Sequence, residues 1–184
     1  MALGEELERI ARLAVAHANE GDTVSGVIPT QPAAGERVYL CSIDGADGYR
    51  SWLAVRDDGT PVADRLELRA AVSIAALCEV AEDAAGGGAL DDLIERLAEL
   101  RRTDAPPGIE QAEEAARALR AVLGEPPRVA SPERLDEIGM ATRRLEQELD
   151  PSGSSPFAAA MRSSQGAVGE LQREIEAGYL LSLA

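Results

Sequence analysis

The sequence predicts an α+β fold: an N-terminal helix, a three-stranded antiparallel meander and a long buried helix, followed by an antiparallel helical bundle of about four helices. Two patterns support this class. Apolar residues recur at spacings of three and four near the start and throughout the second half, whereas residues 23–56 contain short strand-like runs separated by turn residues, the last of which alternates with the two-residue period of strands. In addition, the stretch Ala70–Ala81 is apolar on nearly every side, which is typical of a central helix.

The composition is that of a folded chain with an aliphatic core. Of the 184 residues, 45% are hydrophobic and 28% are charged, which is a typical balance for a globular protein. One Phe, one Trp and three Tyr are too few to fill a core, so Leu, Ile, Val and Ala must do so. A chain of this length can bury one good core or two small ones.

The first half, residues 1–86, is expected to form an α-β-β-β-α unit. Turn residues at Gly45–Gly48 separate the second and third predicted strands, and those at Asp57–Pro61 separate the third strand from the helix that follows. Alternation in the third strand predicts a sheet with one buried side. The expected elements are a helix from Leu3 to Asn19, strands at 23–30, 37–44 and 49–56, and a helix at Asp64–Ala84.

The second half, residues 89–184, is expected to be the helical bundle. Glycines at 86–88 mark the best domain boundary, although the buried helix before them predicts that both units share one core. Short connections favour antiparallel neighbours. A loop at 151–156 is interpreted as a plain connector. The expected helices are Ala89–Arg102, Ile109–Leu123, Pro132–Leu149 and Phe157–Ile175.

The basic residues exclude several kinds of catalysis. All 18 are arginines, so the chain offers no amine for a Schiff base and no phosphate-binding P-loop lysine. His17 is the single histidine and would have to serve any serine or cysteine triad. It lies at the end of the apolar face of the first helix, where we expect a structural role. We therefore expect no enzymatic activity from lysine or histidine chemistry.

The net charge of −15 limits the kinds of partner that the chain is expected to bind. Such a surface repels phosphate backbones and anionic membranes, so we expect neither nucleic acid nor a membrane as a partner. Cationic groups and basic protein segments remain compatible with it. The two cysteines, Cys41 and Cys78, lie in apolar stretches without zinc-ligand spacing, so both are expected to be buried free thiols. With no basic, apolar signal segment at Met1–Glu6, the expected location is cytoplasmic.

Acidic residues on either side of the three glycines provide an alternative, enzymatic hypothesis. Carboxylates three positions apart share a helix face, and a hairpin could bring two such pairs together. Oxygen-rich clusters of this kind hold Mg²⁺. The pairs resemble acidic motifs of helical nucleotide pyrophosphatases, a resemblance which implies a Mg²⁺-dependent hydrolase of a nucleotide or other phosphate substrate. The candidate ligands are Glu79, Glu82, Asp92 and Glu95.

The leading hypothesis is a non-enzymatic protein-binding module, adaptor-like or chaperone-like, that forms a homodimer. A tryptophan between arginines can anchor a partner, and Trp52 lies between Arg50 and Arg56 on one face of the third strand. Trp52 can equally be covered by one of the later helices. An apolar terminus either packs on the core or meets another chain. The candidate partner-binding residues are Trp52, Tyr179, Leu180 and Leu181.

The order helix–strand–strand–strand–helix in a small acidic protein resembles the type III secretion chaperones and the YbjN-like proteins. That resemblance implies binding to other chains without chemistry. Those proteins continue with two strands, whereas this chain continues with helices. A small-ligand-binding protein with a pocket between the sheet and the bundle is a further alternative.

Overall fold

A computed structural model describes residues 3–32, 37–86 and 88–182, excluding the side chains of residues 167 and 180–182. The predicted α+β class is confirmed, with an N-terminal helix, a three-stranded antiparallel sheet and then helices. The elements are α1 (Leu3–Val15), β1 (Thr23–Thr30), β2 (Val38–Asp44), β3 (Arg50–Val55), α2 (Arg65–Ala84), α3 (Leu90–Thr103), α4 (Ile109–Leu123), α5 (Pro132–Leu149), α6 (Pro156–Ser163) and α7 (Gln165–Ser182).

The sheet has the order β1-β2-β3, so the predicted meander is correct. Cys41 of β2 pairs with Val27 of β1 on one side and with Leu53 of β3 on the other. A bulge interrupts the register of β1 between Val24 and Gly26. Beyond this bulge, the far end of β1 forms two backbone hydrogen bonds with Ala130.

Both faces of the central strand are covered, which corrects the expectation of a sheet with one buried side. Every residue of β2 except Asp44 is buried. The Tyr39 face carries α1, because the Tyr39 hydroxyl lies within hydrogen-bonding distance of Glu6. The opposite face carries α7, where a Cβ built at Gly178 would lie 3.4 Å from Cδ1 of Trp52. Strand alternation alone cannot show that a distant helix will cover the second face.

Close contacts within the chain define two compact units. The first contains the described residues of Met1–Ala76, Pro126–Pro132 and Gly166–Ala184, and the second those of Leu77–Glu125 and Glu133–Gln165. This division does not follow the boundary expected at residues 86–88. It groups α7 with the sheet, whereas the sequence led us to expect α7 in the bundle. Whether both units share one core stays a prediction.

Contacts with α2 explain why α7 belongs to the first unit. The two helices run antiparallel, because successive residues along α7 contact residues that come progressively earlier in the chain, first in α2 and then before it. These contacts join Gln172 to Ser73, Glu176 to Arg69 and Tyr179 to the carbonyl oxygen of Val62.

The second unit packs α3, α4, α5 and α6 with the end of α2 around its own aliphatic core. Leu119 and Ile138 are fully buried there, and Phe157 is 7% exposed. Gly108, with φ of 86°, begins α4, and Gly124, with φ of 57°, ends it. The single helix predicted over 157–175 is divided at Ser164 into α6 and α7.

The stretch Ala70–Ala81 lies in α2 and is largely buried, as its sequence predicts. Val72, Ala76 and Ala81 are at most 4% exposed. Ala70 and Glu79 are its exposed positions. The first part of this stretch contributes to the core of the first unit and the part from Leu77 onward to that of the second.

Candidate functional site

The structure does not bring the four candidate magnesium ligands together. Glu79, Asp92 and Glu95 are exposed, and Glu82 is half-buried. Among the described residues, no group of three or more His, Cys, Asp or Glu side chains could hold a metal ion. The geometry that a Mg²⁺-dependent hydrolase would need at these positions is therefore missing.

Glu82 has an internal partner. Its Oε1 accepts hydrogen bonds from Nε and Nη2 of Arg134, at 3.0 and 2.6 Å. The same guanidinium donates to the carbonyl oxygens of Val122 and Leu123, at 3.2 and 3.0 Å. Arg134 of α5 thus joins the end of α2 to the last turn of α4, where unpaired carbonyl groups favour a cation.

Glu113 is a second internal carboxylate that arginines neutralise. Its side chain is 5% exposed and lies 2.8 Å from Nη2 of Arg117 and 3.2 Å from Nε of Arg101. A buried carboxylate needs such partners, because an unpaired charge would be very costly in the interior. This cluster fixes α3 against α4 and leaves the carboxylate inaccessible to a ligand.

Two of the candidate partner-binding residues pack inside the first unit. Trp52 lies against α7 at Gly178 and is only half-exposed. Tyr179 is 4% exposed, and its hydroxyl donates to the carbonyl oxygen of Val62. Burial, with a smaller contribution from Glu67, raises the pKa of Tyr179. The side chains of Leu180 and Leu181 lie outside the described residues.

A polar cluster between α1 and the sheet is also internal to the first unit. The Tyr39 hydroxyl lies 2.6 Å from Oδ1 of Asp57 and is also close to Glu6, which accepts from Arg37 at 2.8 Å. Burial is the largest cause of the raised pKa of Tyr39. His17 donates from Nε2 to the carbonyl oxygen of Gly59 at 3.0 Å. These contacts orient α1 on the sheet.

An open concave surface of the second unit lies between α5 and α6. Glu146 near the end of α5 accepts from the Ser155 hydroxyl at 2.5 Å and from the backbone N–H of Phe157 at 2.8 Å. Ser155 in turn caps α6 by accepting from the N–H of Ala158. These contacts hold the start of α6 against α5. A groove lies between the two helices.

Two adjoining depressions form this α5–α6 groove. The first has a volume of about 220 Å³ and the second about 370 Å³. Arg143 lines both of them. The first is lined mainly by the apolar residues Leu135, Gly139, Phe157, Ala158 and Met161, together with Asp136. The second adds Glu146, Gln147 and Leu149 of α5 and the residues of 150–156 other than Ser152.

Gly139 and Phe157 determine the floor of the first depression. A Cβ built at Gly139 would lie 3.6 Å from Cε1 of Phe157, which is an ordinary van der Waals contact, so the ring packs closely against this turn of α5. A side chain that extends beyond Cβ at 139 would meet the ring and enter the depression. Glycine thus leaves the floor of the depression open, although glycine inside a helix ordinarily lowers stability.

The charges around the groove are mostly negative. Asp136, Glu146 and Asp150 contribute carboxylates, whereas Arg143 contributes a guanidinium. Within the described part of the chain, Arg143 makes one hydrogen bond, from Nε to the carbonyl oxygen of Gly139 at 3.0 Å, and no ion pair. The last turn of α5 contains no basic residue. A cation there would be favoured both by these carboxylates and by the helix C-terminus.

The sequence interpretation missed this groove. The segment at 151–156 was expected to be a plain connector, but it forms one wall of the second depression. The available signals were Gly139 inside the fifth helix and the Ser155–Pro156 cap, which together predict a close approach and a second helix start. No pattern in the sequence indicates that Phe157 would meet Gly139.

The comparisons with known proteins give no functional information. None of the helices in the described ranges is long and apolar enough to cross a membrane. No protein-family model, no curated protein and no solved structure matches the chain.

Proposed function

We propose that this chain is a non-enzymatic protein-binding module and that the α5–α6 groove receives a segment of its partner. The observation that supports this proposal most is the first depression, an open apolar space lined by Leu135, Phe157 and Met161. Methionine and aromatic side chains are enriched where proteins contact each other. An exposed leucine, Leu149, continues this apolar lining into the second depression.

The other candidates are less well supported. The four predicted magnesium ligands do not converge, and Trp52 and Tyr179 pack within the first unit. The polar clusters at Tyr39 and Glu113 use their charges internally. The α5–α6 groove, in contrast, is open, and a partner can bind there without first displacing part of the core.

A pair of neighbouring substitutions on α6 tests the proposal. Ala158 lines the first depression, whereas Ala159 is exposed outside it. Ala158→Trp should fill the depression and abolish retention of the partner from an extract of the native cell. Ala159→Trp adds the same side chain to the same helix and should leave retention unchanged. Equal retention by both variants, with unchanged melting temperatures, would contradict the proposed binding surface.

A further inference from the structure

We infer that the segment which docks in the α5–α6 groove carries an aliphatic or aromatic side chain next to arginine or lysine. This partner chemistry rests on the proposed function of the groove and specifies it. The apolar lining of the first depression indicates the anchor, and the charge around the second indicates the neighbouring cation.

The size of the first depression fits one apolar side chain. Its volume is about 220 Å³. An apolar protein cavity of about 150 Å³ can hold a benzene molecule, so this space can receive a leucine or phenylalanine side chain. Met161 and Leu135 are half-buried and can adjust around such a group. Burial of one anchor of this kind is a typical source of binding energy in small interfaces.

The second depression lies at the C-terminal end of α5, where the helix carries a partial negative charge. Proteins usually place basic residues at such an end. Here the last turn of α5 contains none, and Glu146, Glu148 and Asp150 lie there instead. Glu146 and Asp150 accept hydrogen bonds from Ser155, Phe157 and Ser152, which leave their negative charges in place. A cationic group from a partner would be attracted to these charges.

An acidic partner fits less well. Arg143 could pair with a carboxylate, but Asp136, Glu146 and Asp150 also line the groove and would repel it. The whole chain carries a net charge of −15, which slows the approach of an anion and speeds that of a cation. Charge complementarity therefore favours a basic segment.

Labelled synthetic peptides of one length test both parts of the inference by fluorescence anisotropy. The probe alternates arginine with leucine, one control replaces leucine by serine, and another replaces arginine by glutamate. The probe should bind the unaltered protein, and loss of the apolar anchor should weaken binding about ten-fold or more. The acidic control should bind no more tightly than the serine control. A higher salt concentration should weaken binding of the probe, because salt screens the exposed charges.

Variants of the protein locate the binding. Ala158→Trp should weaken binding of the probe about ten-fold or more, whereas Ala159→Trp should not change the affinity. Asp150→Asn, which removes a negative charge from the second depression, should weaken binding of the probe about two- to five-fold, the usual range for one exposed ion pair. The matched control is Asp92→Asn, an exposed carboxylate outside the groove, which should have little effect.

Several results would overturn the inference. Equal affinity for the leucine and serine peptides would mean that charge alone attracts the probe. Equal affinity of the Ala158→Trp and unaltered proteins would place the peptide elsewhere, and tighter binding of the acidic control would reverse the charge of the partner. If retention from the cell extract still depends on Ala158 while the probe does not bind, the groove is the docking surface and the partner class is different. If retention does not depend on Ala158, the proposed function itself fails.

Discussion

Gly59 shows how a single residue fixes the approach of α1 to the sheet. It follows β3 in a turn, and its φ of 85° lies in the left-handed region that glycine adopts at least cost. A Cβ built there would lie 2.9 Å from Cβ of Leu13 in α1. Its carbonyl oxygen also accepts the hydrogen bond from His17. The residue thus provides both the turn and the space in which α1 packs.

Gly59→Ala should destabilise the protein by about 2 to 3 kcal/mol, since it adds a clash to the backbone strain. The matched control is Gly48→Ala, which has a similar φ of 84° but nothing within 4 Å of the added Cβ. That change should cost about 1 kcal/mol, from strain alone. Urea unfolding measures both values. Equal destabilisation by the two changes would show that the contact with Leu13 contributes nothing.

The lowered pKa of Glu6 predicts that the protein loses stability at acidic pH. The hydrogen bond from Tyr39 is the largest cause of its lowered pKa, and Arg37 lowers the pKa further against the opposing effect of burial. A depressed folded-state pKa gives stability that is complete above the ordinary value of 4.5 and is lost as the pH falls through the folded-state pKa. The free energies of unfolding of Glu6→Gln and of the unaltered protein, measured with urea, should therefore converge as the pH is lowered from 4.5, and a constant difference would contradict this linkage.

The two cysteines should be unreactive in the folded protein. Cys41 and Cys78 are both buried free thiols, as the sequence predicts. Burial raises the pKa of Cys41 to about 12, so its reactive thiolate is scarce at neutral pH. A thiol reagent should label neither residue until denaturant is added and should then label both. Rapid labelling of the folded chain would show that the sheet opens at β2.

At the scale of single elements, most boundaries could be predicted from local signals. The strand at 23–30 begins and ends where predicted, and α4 begins at Ile109 and ends before Gly124. The first helix ends at Val15 instead of Asn19, and residues 157–175 are divided at Ser164. Both differences depend on tertiary contacts, because hydrophobic periodicity continues through each break.

The candidate site was less predictable than the elements. The spacing of the acidic residues correctly placed them on the helices around the three glycines, but it could not show that Arg134 would form an ion pair with Glu82. Spacing likewise could not show that Phe157 would rest on Gly139, because these residues belong to different helices. Each of these contacts depends on the packing of helices that are distant in sequence, which local patterns do not contain.

Arg134 links three helices and should be the costliest arginine to remove. Arg134→Ala should destabilise the protein by about 2 to 3 kcal/mol. This value is below the full cost of breaking a buried ion pair, because the side chains of Arg134 and Glu82 keep partial contact with water. The control is Arg144→Ala, which breaks an exposed pair with Glu114 and should cost about 0 to 1 kcal/mol. Chemical denaturation compares the two. Similar small effects would mean that Arg134 does not hold the end of α4.

At the scale of the whole molecule, the homodimer expected from the sequence stays a prediction. Such a dimer would have to use a surface other than the α5–α6 groove, which we propose receives a basic segment of another protein. Light scattering at micromolar concentrations should then give twice the mass of the chain for the unaltered protein and for Ala158→Trp alike. A monomer at every concentration would contradict the predicted dimer.

The first unit is assembled from segments that are far apart in sequence, and this affects how the protein is made. The strands and α1 leave the ribosome early, but α7, which covers Trp52, follows only after all of the second unit has been translated. For several seconds at ordinary elongation rates, one side of the nascent sheet lacks its helix and exposes apolar surface. The growing polypeptide is therefore most vulnerable to aggregation and proteolysis before α7 emerges, and premature termination upstream of α7 would leave that vulnerability permanent.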